Sequence, residues 1–200
     1  ILQAIDEHAK KQNIPLPERN RKQIADHLRA VIFAINDGVI PSNKERGSVV
    51  KRLINDMADM ILRAQGKPFL SELVPKVVMV MKDPYPELVT KAKDIAMYVQ
   101  KPQADYEDVF SRRLPEFASQ VKKAANDANK IGELMFYYRD TLGLTLSTIR
   151  LTLDMTGITP DILNKAQKIF EEKMAEQQDR SRASSKMQGD VFLDCHVDVK

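Results

Sequence analysis

Apolar residues at helical spacing recur along most of this chain, and this pattern limits its fold more than any other feature. The clearest stripe consists of Ile24, Leu28, Val31, Ile32 and Ile35. Intervals of three and four residues place these side chains on one face of a helix and leave the opposite face to charged residues. Similar stripes follow, so the sequence predicts a bundle of amphipathic helices.

The composition supports an all-α fold class. Only 7 of the 200 residues are Gly and none is Trp, which argues against a turn-rich β fold and predicts an aliphatic core. Prolines and glycines separate the apolar stripes, and helices commonly stop at such residues. We therefore expect a multi-helix bundle of about eight or nine helices with an extended C-terminal tail.

Two prolines determine the helix boundaries predicted for the middle of the chain. Pro102 is expected to end one helix, since proline removes a backbone donor and clashes with the preceding turn. Asp105, in the acidic run 105–108, is expected to cap a short helix that ends at Leu114. Pro115 then opens a long helix that continues through Tyr138.

The segment 142–155 is ambiguous. Its leucines alternate with polar residues, as in a strand, but Leu142, Leu146, Ile149 and Leu153 also fit a helical stripe. We favour a helix because Gly157 provides a C-terminal stop and the neighbouring segments are helical.

The expected domain organisation is a helical bundle over residues 1–186 and a strand-like tail over 187–200. The bundle allows two lobes, 1–101 and 102–186, and a single bundle is an equal alternative.

The tail has the best strand pattern in the chain. Its apolar positions alternate with polar ones, and they are Val191, Leu193, Cys195, Val197 and Val199. Such a segment can pair with the edge of a partner's sheet, which predicts partner binding or self-association. Packing back on the bundle and disorder remain the alternatives.

The sequence contains few residues suited to catalysis. There is no Gly-rich phosphate loop, no G-x-S-x-G, no H-E-x-x-H and no C-x-x-C. Asp194, His196 and Asp198 share a face of the predicted strand, but no fourth ligand is indicated. We therefore predict no catalytic residues, no metal site and no cofactor.

The cellular setting follows from cysteine use and hydropathy. A single cysteine allows no internal disulfide and fits a reducing compartment. No apolar run approaches the roughly 20 residues that span a bilayer, and no signal peptide is visible. We expect a cytoplasmic protein without a membrane span. The chain begins with Ile1 rather than Met, which predicts a fragment or a processed product.

Two groups of basic residues in the N-terminal half are candidate phosphate contacts. The net charge is only +3, so nucleic-acid binding is possible rather than favoured. The first group comprises Arg19, Arg21 and Lys22; the second comprises Lys44, Arg46, Lys51 and Arg52.

These observations favour a non-enzymatic adaptor or structural subunit of a multiprotein complex. Its protein–protein interactions would use apolar helix faces and the tail. The first alternative is a helical nucleic-acid-binding protein of nucleocapsid type, which would use the two basic groups. A helical enzyme whose site is assembled from dispersed residues is a further alternative.

Overall fold

The computed structural model describes residues 1–124 and 126–184, and these residues form helices and no strand. The all-α prediction is therefore confirmed. The elements are α1 (Leu2–Lys11), α2 (Glu18–Asn36), α3 (Glu45–Arg63), α4 (Leu70–Met81), α5 (Glu87–Lys123), α6 (Ala128–Phe136), a π-helical turn (Tyr137–Thr141), α7 (Leu146–Asp154) and α8 (Pro160–Ser184).

Buried apolar side chains form two clusters. The N-terminal cluster joins α1 to α4 with the first half of α5, and its fully buried members include Ile5, Ile24, Leu28, Ile54, Met57, Phe69 and Leu70. The C-terminal cluster joins the end of α5 to α6, the π-helical turn, α7 and α8, and it includes Phe117, Ile131, Met135, Tyr138, Ile149, Ala166 and Phe170. Helix α5 contributes to both clusters.

The predicted helix boundary at Pro102 is wrong. It runs unbroken through Pro102 and Pro115, so no helix ends at Pro102 and the acidic run at Asp105 lies inside a helix. An interior proline costs about 3 kcal/mol, and buried contacts beside Pro102 offset this cost. Gln103 is 4% exposed; its Oε1 accepts from the backbone N–H of Leu70 at 2.8 Å, and its Nε2 donates to the Pro68 carbonyl at 3.1 Å.

The predicted long helix from Pro115 through Tyr138 is also wrong. Helix α5 ends at Lys123, and α6 starts again at Ala128. Asp127 causes the restart by capping α6, because its Oδ1 accepts from the backbone N–H groups of Asn129 at 3.0 Å and Lys130 at 3.2 Å. The sequence pattern concealed this break because the apolar positions on either side keep a helical spacing.

Most of the ambiguous segment 142–155 is helical, as we favoured, but residues 142–145 precede the helix as a loop. Helix α7 covers Leu146–Asp154, and Thr145 caps it by accepting from the backbone N–H of Thr148 at 3.2 Å. The π-helical turn just before it lies between α6 and α7 and carries Arg139 and Asp140.

The tail prediction falls on residues 187–200, which lie outside the described residues. The proposed strand positions Val191, Leu193, Cys195, Val197 and Val199 therefore remain predictions. The division of the bundle into two lobes also stays a prediction. Among the helices of the described part, none has the length and apolar character needed to cross a membrane.

Helices α6 and α8 cross closely at Gly132. A Cβ atom at this position would lie 2.8 Å from the Ala166 carbonyl oxygen and 2.8 Å from Ile169 Cβ. Both neighbours are held by α8, so neither can move without shifting the helix.

We predict that Gly132→Ala destabilises the protein. Alanine gains up to about 1 kcal/mol in helix propensity, but overpacking commonly costs about 1–3 kcal/mol, so a net loss is expected. Urea unfolding monitored by circular dichroism measures it. Asn129→Ala, at an exposed position of the same helix, is the control. An unchanged or raised midpoint for Gly132→Ala would contradict the close crossing.

Candidate functional site

A cleft of about 590 Å³ opens where α3, α5 and the π-helical turn approach one another. Most of its lining side chains are polar or charged. The polar lining includes Asn43, Lys51, Arg52, Asn55, Asp56, Tyr106, Arg139 and Asp140.

The loop before α3 forms one wall of the cleft, and Gly47 holds it in place. Gly47 is buried, and a Cβ atom there would collide with the Ile40 carbonyl oxygen and with the Ser42 hydroxyl. The Ser42 N–H donates to the Gly47 carbonyl at 3.1 Å. The absence of a side chain at Gly47 therefore lets the loop lie directly against α3, which brings Asn43 to the cleft.

Helix α3 supplies the basic side of the cleft. Lys51 Nζ donates to Asn43 Oδ1 at 2.8 Å, which fixes the Asn43 side chain and leaves its NH2 group as a donor. Arg52 follows and is exposed. The two cations lie within the first two turns of α3.

Two polar groups lie deeper along α3. Burial raises the pKa of the Asp56 carboxyl above its ordinary value, while the charges of Arg139 and Arg52 partly oppose this effect. The side-chain oxygen of Asn55 is buried and has no hydrogen-bond partner among the described residues.

A buried carboxylate lies beneath the cleft and joins three helices. Asp59 of α3 is 1% exposed. Its Oδ1 accepts from the Tyr106 hydroxyl at 2.7 Å and from the Thr148 hydroxyl, and its Oδ2 accepts from Arg63 Nε at 2.7 Å. Tyr106 belongs to α5 and Thr148 to α7, so the carboxylate ties both helices to α3.

Tyr106 extends this network to the segment after the π-helical turn. Its oxygen accepts from the backbone N–H of Thr145 at 3.3 Å while its hydroxyl donates to Asp59. Burial raises the pKa of Tyr106, so the hydroxyl stays protonated and remains a donor. Arg139 lies just before this segment and reaches the Leu144 carbonyl at 3.4 Å.

The structure separates the two predicted basic groups. Lys51 and Arg52 of the second group line the cleft, and Lys44 and Arg46 are exposed close by in sequence. The first group lies in the first turn of α2, toward the opposite end of the α2–α3 hairpin.

Ion pairs already engage much of the first group. Arg21 NH1 lies 2.6 Å from Asp6 Oδ1, and Lys22 Nζ lies 2.7 Å from Glu18 Oε1.

Sequence reasoning missed Asn43, Asn55, Asp56, Arg139 and Asp140. Asn43 precedes Lys44, and Asn55 and Asp56 follow Arg52 within one helical turn. These polar side chains beside the second basic group were a usable signal. Arg139 and Asp140 gave no such signal, because they lie almost ninety residues later and only the fold brings them to the cleft.

Comparison with known proteins identifies the family. Residues 1–199 match the family described as "tRNA synthetases class II (A)". The chain belongs to this family. It is 34% identical over 181 residues to the alanine--tRNA ligase of Shouchella clausii, and 35% identical over 183 residues to that of Geobacillus kaustophilus. These matches cover 86% of this chain but only 20% of each relative.

This membership overturns the functional prediction. The family and its named members are enzymes, so the predicted non-enzymatic adaptor or structural subunit is wrong. The nucleocapsid alternative is wrong as well. The error arose because this chain spans about a fifth of the length of the relatives that it matches. Its sequence contains none of the short catalytic motifs considered above.

We predict that Asp59→Ala lowers the free energy of unfolding by about 3 kcal/mol, since the buried Tyr106 and Thr148 hydroxyls lose their acceptor. Chemical denaturation measures the loss. Asp26→Ala is the matched control: Asp26 is exposed and pairs only with Arg29 in the next helical turn, so it should change stability by less than about 0.5 kcal/mol. Equal effects would show that the buried network contributes little.

We predict that Asp56→Asn stabilises the protein at neutral pH. A raised folded-state pKa makes the protein most stable while Asp56 is protonated, and stability falls as pH rises from the ordinary aspartate value through the raised one. Asparagine mimics the neutral form, so its advantage should vanish below about pH 4. Urea midpoints across a pH series test this, with the exposed Asp94→Asn as control. A destabilised variant at neutral pH would refute the argument.

Proposed function

We propose that this chain is a helical region of an alanine--tRNA ligase and that its cleft contacts the tRNA. The single observation that carries the proposal is the composition of the cleft, in which cations lie beside amide and carboxylate groups. RNA recognition needs both kinds of group, because cations contact phosphates while amides and carboxylates contact base edges and ribose hydroxyls. The names of the relatives supply the choice of tRNA as the nucleic acid.

Lys51 and Arg52 are the proposed phosphate contacts. Both line the cleft from α3, where Arg52 is exposed and Lys51 is half-buried. Arg139 faces the same space from the π-helical turn, so the RNA backbone would meet positive charge from two elements. These contacts would position the RNA without reading its sequence.

Asn43, Asn55 and Asp140 are the proposed contacts to bases and riboses. Lys51 orients Asn43, whose NH2 group can donate to a base acceptor. Asn55 also lines the cleft, and its side-chain amide is the group offered to a base edge or a 2′-hydroxyl. Asp140 is exposed in the π-helical turn, and its carboxylate accepts only, which favours amino groups and hydroxyls.

The chemical step is assigned to the whole ligase, in which the part played by this chain is to hold the tRNA. The proposal includes the cytoplasmic location that the sequence predicts. Protein partners are not needed to account for the cleft, and the role of the tail remains a prediction.

We predict that Lys51→Gln combined with Arg52→Gln weakens binding of alanine-accepting tRNA. Affinity falls with salt, and each lost phosphate contact should make the plot of log affinity against log salt less steep by about 0.9. The slope for the double variant should therefore be roughly 2 units shallower. Filter binding of labelled tRNA across a salt series measures this.

The matched control is Arg19→Gln with Lys22→Gln, which also removes two positive charges but at the far end of the α2–α3 hairpin. Its affinity should fall little, and its slope should stay near that of the unaltered chain. Equal losses for both pairs would mean that net charge rather than the cleft binds the tRNA, and the proposal would then fail.

A further inference from the structure

A second groove, of about 610 Å³, continues from the cleft along α5. It shares part of its lining with the cleft, namely Ser42, Asn43, Lys51, Pro102 and Asp105. Its own walls are Ile40 and Pro41 of the loop on one side, and Met97, Tyr98 and Lys101 of α5 on the other. A chain that lies in the cleft can therefore pass into the groove.

The groove is lined by large apolar side chains that are well exposed, including an aromatic one. Met97 is 68% exposed, Ile40 is 54% exposed and the Tyr98 side chain is 40% exposed. In the cleft, by contrast, the aromatic residue is Tyr106, which is 2% exposed and bound through its hydroxyl to Asp59. Tyr106 cannot offer its ring face to a ligand, whereas Tyr98 can.

We propose that the groove holds an unpaired nucleotide of the RNA whose paired part occupies the cleft. Its base stacks on the Tyr98 ring, Met97 and Ile40 cover the base edge, and Lys101 meets the adjoining phosphate. This inference rests on the proposed function. Aromatic rings near cations are the usual platform for unstacked bases, since every base has a flat apolar face.

The charges of the groove favour a nucleotide over an apolar protein segment. Lys51 lies at the junction with the cleft and Lys101 lies one turn of α5 before Asp105, so positive charge borders the apolar surface at two points. Asp105 is the single acid in this lining. Its carboxylate repels a phosphate at the junction but accepts from a base amino group or a 2′-hydroxyl. The phosphate is thus directed to Lys101.

The test compares two RNA hairpins with the same stem. One ends blunt, and the other carries a short single-stranded end with 2-aminopurine at its first unpaired position. Stacking on Tyr98 should quench the fluorescence of this base. With Tyr98→Ala the quenching should disappear and affinity for the tailed hairpin should fall about tenfold, while binding of the blunt hairpin stays unchanged. Tyr98→Phe keeps the ring and should restore both readouts.

Tyr137→Ala is the matched control, because Tyr137 is 48% exposed and lines a separate pocket between α5 and α6. It should leave quenching and affinity unchanged, and thermal unfolding checks that each variant is folded. Retained quenching in Tyr98→Ala, or an equal loss of affinity for both hairpins, would contradict nucleotide binding in the groove but leave the proposed function standing. Failure of the unaltered chain to bind either hairpin would overturn the proposed function together with it.

Discussion

The buried carboxylate of Asp59 is the interaction on which the arrangement of this protein depends. It accepts hydrogen bonds from Arg63 on its own helix, from Tyr106 on α5 and from Thr148 on α7. A carboxylate removed from water is costly unless donors surround it, so these elements are stable together in one geometry only. The two apolar clusters meet at this network, and the cleft lies above it.

Helix α5 connects the two apolar clusters along the molecule. Its first half, through Tyr106, packs in the N-terminal cluster, and its last turns pack in the C-terminal cluster. A break at Pro102 would have separated the two clusters. The side chain of Gln103 prevents such a break by binding the start of α4, which ties α5 to its neighbour at the point where proline weakens it.

The proposed RNA path uses two neighbouring surfaces, the cleft and the groove. The polar cleft suits a paired RNA segment, since its cations and hydrogen-bonding groups come from two sides. The groove next to it exposes an aromatic ring, which suits a base that has left its pair. Gly47 links the two, because the loop that it holds against α3 lines both spaces. Paired and unpaired parts of one RNA would thus be recognised by neighbouring surfaces.

The sequence by itself determined that the protein is all-α, because apolar side chains three and four residues apart need no distant partner to favour a helix. It also indicated Lys51 and Arg52 as candidate contacts, since a basic group is visible in one stretch of chain. Only the tertiary structure decided that α5 continues through Pro102, because the contacts of Gln103 with the start of α4 outweigh the local cost of this proline. Likewise, only the fold places Arg139 and Asp140 in the same cleft as Asn43, because the proximity of residues more than ninety positions apart leaves no trace in local spacing.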